Sequence, residues 1–498
     1  MVTLANILEN ATSSDKAIII PDGPQLSYAE LNDELDRIAS ILSSIGLSKG
    51  VTASIVFENG LEFINMFLAV AKTGATVAPL NPEYTIDEFK FYMNDTDSQF
   101  LILSSKTNYS INAANQLGVS IIEVSMNDSG QLSLYKNNSE LTNKADINYP
   151  KPTDIALFLH TSGTTSQPKG VPLTHSNLMA SLSNISSSYH LMNEDVALLV
   201  MPLFHVHGLI GVSLSTLFSG GTLVIPPKFS ASTFWKHQND HKATWYSAVP
   251  TIHQILLMRA EKDNAPKKSF RFIRSCSAAL APSVFEDLET RFGAPVLEAY
   301  GMTEASHQMS SNLLPPFDRS PGTVGQGTGV EISIMNEFGT LLNPNNPGEV
   351  VIKGENVTLG YHNNPSANAE AFTNGWFRTG DQGEISNSGI LTLTGRLKEL
   401  INRGGEKISP LEVDATLIKH PNIVEAVCFG ASDIKYGEVV HAAIVTSESI
   451  SASEIQSFCS DHIADFKIPS KIYIVDQLPR TATGKIQRRN IAKQFNNS

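Results

Sequence analysis

Apolar positions near the start of the chain recur with the period of a surface helix. Ser27 and Glu30 have the spacing of a capping box, in which two side chains satisfy free backbone N–H groups at a helix start. Apolar residues then return every three or four positions, at Leu31, Leu35, Ile38, Leu42 and Ile45. Gly46 follows, and glycine commonly ends a helix because it tolerates a left-handed backbone. The pattern predicts an amphipathic helix between Ser27 and Gly46.

The next blocks alternate between apolar runs and helical periods. Residues 52–57 form an apolar run, residues 61–72 have a helical pattern, and residues 76–80 form a second short run. Strands that alternate with helices are typical of a parallel sheet covered on both faces. The stretch 126–152 is rich in Asn, Ser and Lys and has little periodicity, so we predict a long connection there, leading into a strand at 155–160.

The pattern changes past Thr394, where the predicted elements are short. They are strands at 426–430, 441–446 and 472–475 and a polar helix at 453–463. Together they indicate a compact α+β unit of about a hundred residues. We therefore predict an α/β protein in which a large N-terminal domain, residues 1–394, has sheets flanked by helices. A small α+β domain, residues 395–498, follows, with a hinge at 395–398.

Length and charge narrow the class of protein. A chain of 498 residues exceeds one ordinary core, which agrees with two domains. The formal charge of −13 argues against nucleic-acid binding through a basic face, and no run of about eighteen apolar residues could cross a membrane. Small molecules are the expected partners, and the oligomeric state stays open.

Three cysteines without metal-ligand spacing fit a reducing compartment and buried or idle thiols. The first ten residues lack a basic leader with an apolar core, and the last residues are not Ser-Lys-Leu. We expect a cytoplasmic protein.

The segment 161–170 carries the first candidate chemistry. It reads Thr-Ser-Gly-Thr-Thr-Ser-Gln-Pro-Lys-Gly and combines hydroxyls, glycines and one lysine with no acidic group, a composition suited to polyphosphate. The residues that we assign to the nucleotide are Thr161, Ser162, Gly163, Thr164, Thr165 and Lys169. It is not a Walker loop, because that pattern ends in Gly-Lys followed by Ser or Thr, whereas here Pro168 precedes Lys169 and Val171 follows Gly170. The hydroxyl that would hold magnesium is therefore missing. Taken alone, the segment could equally be a surface Ser/Thr turn.

Four further segments downstream raise the specificity of this interpretation. They are Tyr-Gly-Met-Thr-Glu at 300–304, Gly-Trp-Phe-Arg-Thr-Gly-Asp at 375–381, Gly-Arg-Leu-Lys-Glu-Leu-Ile-Asn-Arg-Gly-Gly-Glu-Lys at 395–407, and Pro-Arg-Thr-Ala-Thr-Gly-Lys at 479–485. In this order, the five motifs resemble those of the acyl-adenylate-forming superfamily of acyl-CoA synthetases, luciferases and peptide-synthetase adenylation domains. The resemblance covers essentially the whole chain. It implies that a carboxylate is activated with ATP as an acyl-adenylate.

The resemblance implies catalytic roles for residues in two of the motifs. Lys485 would bridge the carboxylate and the α-phosphate, where negative charge develops. Thr303 would touch the α-phosphate, and Glu304 would hold Mg²⁺ through a carboxylate oxygen. The alternative for Lys485 is a solvated basic run at the end of the chain.

Nucleotide contacts follow from the same resemblance. Tyr300 would stack on adenine, with Ala299 beside it in the nucleotide site. Asp381 would accept the ribose hydroxyls, and Arg396 would reach the same sugar. Taken singly, Tyr300 could be a core residue, Glu304 a helix-start charge and Asp381 a turn former.

Resemblance to CoA ligases also implies that the small domain is mobile. It would swing about the hinge and bring Gly404 and Gly405 to the edge of a tunnel for the pantetheine of CoA, where glycines allow close approach. The rival is a rigid two-domain enzyme. A carrier protein could accept the acyl group at the same surface.

Three histidines point to the nature of the acid. His205 and His207 lie in the segment 202–208, and His307 follows the Thr-Glu pair. With the hydroxyl of Ser277 they predict a polar pocket for a small acid that carries a second carboxylate. His205 is also a candidate catalytic residue. The alternative is that His205 is an aromatic gate and His307 a capped helix residue.

Within the superfamily, the segments 202–209, 243–254, 272–278 and 399–410 resemble the oxalate–CoA ligases. Oxalate is therefore the implied acid, with ATP, Mg²⁺ and CoA as the implied cofactor and co-substrates. Alternatives are a CoA ligase for malonate or another short or aryl acid, a luciferase-type oxidation, and a catalytically dead nucleotide-binding regulator.

Overall fold

The structure is a computed structural model that describes residues 2–104, 108–161, 168–481 and 484–496. Its α/β architecture, with a large N-terminal part and a smaller C-terminal part, confirms the predicted fold class. The helices are α1 (Tyr28–Ser44), α2 (Leu61–Lys72), α3 (Ile86–Asp95), α4 (Asn108–Leu117), α5 (His175–Tyr189), α6 (Val206–Gly208), α7 (Ser215–Phe218), α8 (Phe234–His241), α9 (Pro250–Arg259), α10 (Pro282–Phe292), α11 (Pro365–Ala371), α12 (Pro410–Ile418), α13 (Ala452–Ser460) and α14 (Arg488–Asn496).

The strands of the N-terminal part form three sheets. They are β1 (Lys16–Ile19), β2 (Gln25–Ser27), β3 (Thr52–Val56), β4 (Thr76–Pro79), β5 (Ser98–Ser104), β6 (Ser120–Met126), β7 (Leu132–Lys136), β8 (Ser139–Glu140), β9 (Ile155–Thr161), β10 (Lys169–Thr174), β11 (Val196–Leu198), β12 (Thr222–Val224), β13 (Trp245–Ala248), β14 (Phe272–Ser275), β15 (Val296–Met302), β16 (His307–Ser311), β17 (Gln326–Gly327), β18 (Glu331–Met335), β19 (Gly348–Lys353), β20 (Phe372–Thr373), β21 (Trp376–Ile385) and β22 (Leu391–Arg396). The C-terminal part contains β23 (Ile401–Arg403), β24 (Glu406–Ile408), β25 (Ile423–Asp433), β26 (Gly437–Thr446) and β27 (Lys471–Ile474).

Local signals explain the first elements. Ser27 accepts from the Glu30 N–H and the Glu30 carboxylate returns to the Ser27 N–H, so the predicted capping box starts α1. Gly46 has a φ of 101°, the left-handed backbone expected just after the helix. Helix α2 runs over the predicted residues 61–72 and is buried on nearly every side, because it packs against α1 and against the sheet that contains β3 and β4.

Two large sheets dominate the N-terminal part, with orders β17-β16-β15-β14-β13-β11-β12-β1-β2 and β10-β9-β4-β3-β5-β6-β7-β8. Their interior pairs are parallel, as the alternation of strands and helices predicted. Their outer pairs are antiparallel, since hairpins and β10 close the edges. Parallel strands β13, β14 and β15 therefore end side by side, which brings the segments after them together.

The prediction of an unstructured connection over 126–152 was wrong in its first half. Strands β7 and β8 lie there, and β7 pairs antiparallel with β6 across a turn at 127–130. Leu132 and Leu134 face the core while their neighbours are more exposed. This short alternation is easily hidden among Asn, Ser and Lys, because two apolar residues suffice for an edge strand.

The smaller sheets separate the two parts of the chain. The third sheet of the N-terminal part, β18-β19-β21-β20 with β22 on β21, ends at Arg396. The C-terminal sheet, β24-β23-β26-β25 with β27 on β26, begins at Ile401, and its strands and α13 lie where short elements were predicted. The division at 394–395 and the hinge stay predictions. In this structure the two parts touch: Arg480 donates to Thr251 Oγ1 at 2.6 Å, and Gln254 donates to the Val424 carbonyl at 3.3 Å.

The structure confirms the prediction that the thiols of the three cysteines are buried. Cys276, Cys428 and Cys459 are all buried and free. Across the described residues, no helix is long and apolar enough to traverse a lipid bilayer.

Candidate active site

The two described ends of the polyphosphate segment lie at the edge of a sheet. Strand β9 ends at Thr161 and β10 begins at Lys169, and these two residues are register partners in an antiparallel pair. The Lys169 ammonium lies over the ring of Tyr361, 4.5 Å from its centroid. Four of the assigned residues, Ser162, Gly163, Thr164 and Thr165, lie outside the described residues.

The Thr303–Glu304 pair forms a 3-10 turn directly after β15. Glu304 is buried, and its Oε1 accepts a hydrogen bond from the Tyr361 hydroxyl at 2.7 Å. Burial raises the pKa of the Glu304 carboxyl, while Tyr361, Arg396 and Lys169 oppose the rise. Tyr361 therefore links the carboxylate predicted for magnesium to the lysine predicted for phosphate. Sequence reasoning did not single out Tyr361, since no motif marks it.

Three residues from separate motifs meet at a second point. Asp381 on β21 and Arg396 on β22 are register partners, and Arg396 Nε lies 2.8 Å from Asp381 Oδ1. The Tyr300 hydroxyl donates to Asp381 Oδ2. Burial raises the pKa of the Asp381 carboxyl, and Arg396 and Tyr300 oppose that rise. Ala299, the neighbour of Tyr300 on β15, is buried.

Lys485 reaches this point from the C-terminal part. Its side chain is exposed although protein atoms crowd around it, as expected of a residue that lines a cleft. The surrounding protein and the charge of Arg396 lower the pKa of Lys485, while Asp381 raises it. Burial together with the positive charge of Lys485 lowers the pKa of His205 to about 4. The charge of Lys485 thus acts on both His205 and Asp381.

A polar cluster lies on the His205 side of the cleft. His207 is buried, with Nδ1 3.0 Å from Ser277 Oγ and Nε2 2.7 Å from Ser247 Oγ. His307 packs its ring against that of His207, with centroids 5.3 Å apart. Burial and the charge of Arg274 hold the pKa values of His207 and His307 well below the usual range, so both imidazoles are neutral at pH 7.

The structure therefore brings together the four residues predicted for the acid. His205 and Ser277 are half-buried and reach the cleft, whereas His207 and His307 are almost fully buried behind them. Both ring nitrogens of His207 are engaged, so it supports Ser277 and has no nitrogen left for a ligand. His307 starts strand β16 and is not a helix residue.

Arg274 is the group that sequence reasoning missed. It lies in β14, in a segment quoted for its resemblance, yet its side chain is fully buried and donates to His307 Nε2 at 2.9 Å. A signal was available: an arginine inside the four residues of a buried parallel strand interrupts an apolar run, and lone buried charges are rare.

Backbone strain marks the same region. Ser277, Ser306 and His307 have φ values of 73°, 50° and 95°, in the range that residues other than glycine rarely adopt. Such conformations cost about 1–3 kcal/mol each and cluster at functional sites. The polar cluster is thus held by the surrounding fold.

Gly211 lies directly against the ring of His307. It lies in a π-helical turn, Leu209–Leu214, and a Cβ at this position would sit 2.3 Å from His307 Nε2. Bulges of this kind are frequent at functional sites.

We expect Gly211→Ala to displace His307, because the added Cβ would overlap the buried imidazole ring. The kcat/KM for the acid should fall at least about tenfold while ATP affinity stays unchanged, measured by steady-state kinetics and calorimetry. Gly430→Ala is the matched control, since a Cβ there meets first the end of the Glu438 side chain, at 3.1 Å. Equal losses in both variants would contradict this role of Gly211.

Glu298 on β15 supports the segment that carries Ser277. Its buried carboxylate accepts from the Leu280 N–H at 2.9 Å, and its second oxygen has no hydrogen-bond partner. Burial raises the pKa of Glu298 from 4.5 to about 8, so the carboxyl is largely protonated in the folded protein at pH 7.

We expect Glu298→Gln to change how stability depends on pH. Unfolded Glu298 ionises above pH 4.5 but folded Glu298 only near pH 8, so the wild type loses stability across this window, by up to about 1.4 kcal/mol per pH unit. The variant lacks this term and should have the higher Tm at pH 8, with little difference near pH 4.5. Scanning calorimetry across this range tests it, and parallel Tm–pH curves would contradict it.

The predicted CoA residues lie away from this cluster. Gly404 and Gly405 form the turn between β23 and β24, with φ values of 61° and 98°, and both are exposed. Arg403 stacks its guanidinium over Tyr436, 4.1 Å from the ring centroid. Within the described residues, no group of three or more His, Cys, Asp or Glu side chains could hold a metal ion.

Known proteins are similar in sequence to this chain over nearly its full length. The profile described as AMP-binding enzyme matches residues 8–362, and that of the AMP-binding enzyme C-terminal domain matches residues 412–485. An oxalate–CoA ligase of Arabidopsis thaliana is 48% identical over 99% of this chain and 98% of its own length. An oxalate–CoA ligase of Saccharomyces cerevisiae is 45% identical over 97% of this chain and 95% of its own length.

A solved structure shows the same fold. The o-succinylbenzoate coenzyme A synthetase of Bacillus subtilis, in complex with ATP and magnesium ion, has a TM-score of 0.86 and 31% identity to this chain. The match covers 99% of both chains.

Proposed function

Because the chain belongs to the AMP-binding enzyme family, we propose that it is an AMP-forming ligase that joins oxalate to CoA. The overall reaction is oxalate plus ATP plus CoA to oxalyl-CoA, AMP and diphosphate. The observation that carries the choice of acid is the polar pocket beside Lys485. Its surface comes from His205 and Ser277, with His307 behind them, where a fatty or aryl acid would need apolar walls.

Nucleotide binding is assigned to the cluster around Asp381. We assign the ribose to Asp381 and Arg396, adenine to Tyr300 and Ala299, and the phosphates to Thr161, Lys169 and Thr303 with the loop between the first two. The ion pair of Asp381 with Arg396 and the Tyr300 hydrogen bond support this assignment, because they fix a buried carboxylate next to a cation.

Magnesium fits the residues that are present. Glu304 is a buried carboxylate with one oxygen engaged by Tyr361, and within the described residues it is not part of a group of three or more His, Cys, Asp or Glu side chains that could hold a metal. Mg²⁺ is commonly held by one or two protein oxygens together with substrate phosphates, so Glu304 would hold it with ATP. The ion would neutralise charge on the phosphates.

The first half-reaction forms the adenylate. A carboxylate oxygen of oxalate attacks the α-phosphorus of ATP, a new P–O bond forms, and the bond to the β-phosphate oxygen breaks to release diphosphate. Negative charge grows on the α-phosphate and the departing oxygen, and Lys485 is the cation that we assign to stabilise it. Burial lowers the pKa of Lys485, and the nearby carboxylate of Asp381 opposes this shift and favours the charged form.

The second half-reaction transfers the acyl group. The sulfur of CoA attacks the acyl carbon, a C–S bond forms, the C–O bond to AMP breaks, and the thiol proton is released. We assign Gly404 and Gly405 to the path of pantetheine. Their exposed turn lies outside the cleft while Lys485 occupies it, so a rotation at 395–398 would be needed to exchange them.

Two alternatives remain distinguishable. Malonate or another short acid would use the same cleft. Malonate is longer than oxalate, and His307 is packed too closely against Gly211 to move back for it. A catalytically dead nucleotide-binding regulator would not need Lys169, Glu304, Asp381, Arg396 and Lys485 together.

The test is CoA-dependent AMP release with MgATP across oxalate, malonate, acetate, a medium-chain fatty acid and a cinnamate. Selective turnover of oxalate is expected. Turnover of malonate in preference would overturn the choice of acid. ATP binding without AMP production from any of the acids would favour the regulator.

A further inference from the structure

A buried positive charge lies behind the acid pocket. The Arg274 side chain has 0% exposure, and its hydrogen bonds go to Tyr189 Oη at 2.8 Å and to Ser247 Oγ, His307 Nε2 and Gln308 Oε1 at 2.9 Å. All four partners are uncharged. Among the described residues, no carboxylate forms an ion pair with Arg274, whereas Arg271 nearby is paired with Asp195 at 2.6 Å.

Such a charge is costly unless an anion offsets it. Removing a guanidinium from water costs several kcal/mol even when neutral groups accept its hydrogen bonds, which is why buried arginines normally face a carboxylate. Arg274 donates four hydrogen bonds to neutral acceptors, but none of these partners carries the opposite charge. The open side of its network is the cleft, where Ser277 is half-buried.

Hydrogen-bond polarity follows from one fact: arginine can only donate. His307 Nε2 must accept from Arg274, so its proton sits on Nδ1. That nitrogen faces the backbone of Gly301, since a Cβ on Gly301 would lie 3.3 Å from it. His307 therefore presents a donor towards the segment that carries Thr303 and Glu304.

A second series of hydrogen bonds leads from Arg274 through Ser247 and His207 to Ser277. Ser247 Oγ accepts from Arg274, so its own proton goes to His207 Nε2. His207 then carries its proton on Nδ1 and donates to Ser277 Oγ. The hydroxyl proton of Ser277 is left for another acceptor. Both series of hydrogen bonds start at Arg274 and end in a donor, one at His307 beside Gly301 and the other at the half-buried Ser277.

We propose that Arg274 is a positioning residue that sets specificity for a diacid. Its guanidinium fixes His307 Nδ1 and Ser277 Oγ as donors and supplies the positive charge that offsets the distal carboxylate of the acid. The inference rests on the proposed function and adds to it the side chain that distinguishes a distal carboxylate from a neutral distal group.

The histidines cannot supply this charge. His207 and His307 stay neutral because they are buried beside Arg274, and they also face His205, with His253 near His207. Lys485 is charged but is assigned to the reacting carboxylate at the other end of a two-carbon acid. Arg274 is thus the permanent charge at the distal end.

The test compares oxalate with oxamate, in which a neutral amide replaces the distal carboxylate at almost the same size. The ratio of their kcat/KM values, from AMP release, is measured for the wild type, Arg274→Gln, Arg274→Lys and Arg271→Gln. The wild type should prefer oxalate. Arg274→Gln should lose at least about tenfold of that preference, mainly through the KM for oxalate, because one buried charge interaction is worth this much.

The two other variants separate charge from structure. Arg274→Lys keeps the charge and should retain part of the preference, whereas Arg271→Gln removes a nearby ion pair and should lower Tm with the preference unchanged. A folded Arg274→Gln that binds ATP and keeps the wild-type ratio would overturn the proposal. Lack of wild-type turnover with oxalate would instead overturn the proposed function.

A wild-type measurement keeps the proposal falsifiable if Arg274→Gln does not fold. A guanidinium does not titrate, so the oxalate-to-oxamate ratio should be flat from pH 6 to 8. Taking the ratio cancels ionisations common to both reactions. A ratio that falls about tenfold per pH unit above pH 6.5 would assign the charge to a histidine and overturn the role of Arg274.

Discussion

Replacing Lys485 with alanine is expected to slow adenylate formation at least about 100-fold while the reaction of a prepared acyl-adenylate with CoA continues. Lys485 lies in the cleft within the field of Asp381, Arg396 and His205, where a cation can meet the charge that develops on phosphate. ATP–diphosphate exchange measures the first half-reaction, and thioester formation from the adenylate measures the second.

The matched control for Lys485 is Lys493→Ala, an exposed lysine on the terminal helix α14. It should leave both half-reactions near wild type. Loss of both half-reactions in Lys485→Ala, with an unchanged Tm, would contradict the separation of roles between Lys485 and the turn of Gly404 and Gly405.

Replacing Glu304 with glutamine is expected to lower AMP release about 100- to 1,000-fold and to raise the Mg²⁺ concentration needed for half-maximal rate. Glutamine keeps the shape and still accepts from the Tyr361 hydroxyl, but it removes the buried negative charge. Titration of Mg²⁺ at fixed ATP, followed by AMP release, measures both effects.

Tyr361→Phe is the control for Glu304, because it removes the hydrogen bond and keeps the carboxylate and the ring under Lys169. It should cost less than about tenfold. A Glu304→Gln variant with the wild-type requirement for Mg²⁺ would mean that the metal is held elsewhere.

Local signals predicted much of the fold. The capping box at Ser27, the helix over 61–72 and the short strands of the C-terminal part are each specified by neighbouring residues, and the structure confirms them. The strands inside 126–152 were missed because β7 is stabilised by pairing with β6 and by two buried leucines, and neither is visible as a long period.

The candidate site was likewise predicted only in part from the sequence. Motifs marked the residues that share a cleft, because their spacing along the chain carries the information. The Arg274 network could not be predicted from spacing, because its members are far apart along the chain. Arg274 is 33 positions from His307 and 27 positions from Ser247. Which neutral atoms face a buried charge depends on how β13, β14 and β16 are arranged, and that arrangement is set by the whole sheet.

The close fit of Gly211 against His307 constrains how this enzyme could acquire a different substrate. Trimming His307 to make room would remove one of the four acceptors of Arg274, and neutralising Arg274 would free the proton positions of both imidazoles. Single steps towards a larger acid are therefore each harmful, and the residues should show strong epistasis. Directed evolution for new acids should yield variants only from libraries that change positions 211, 274 and 307 together.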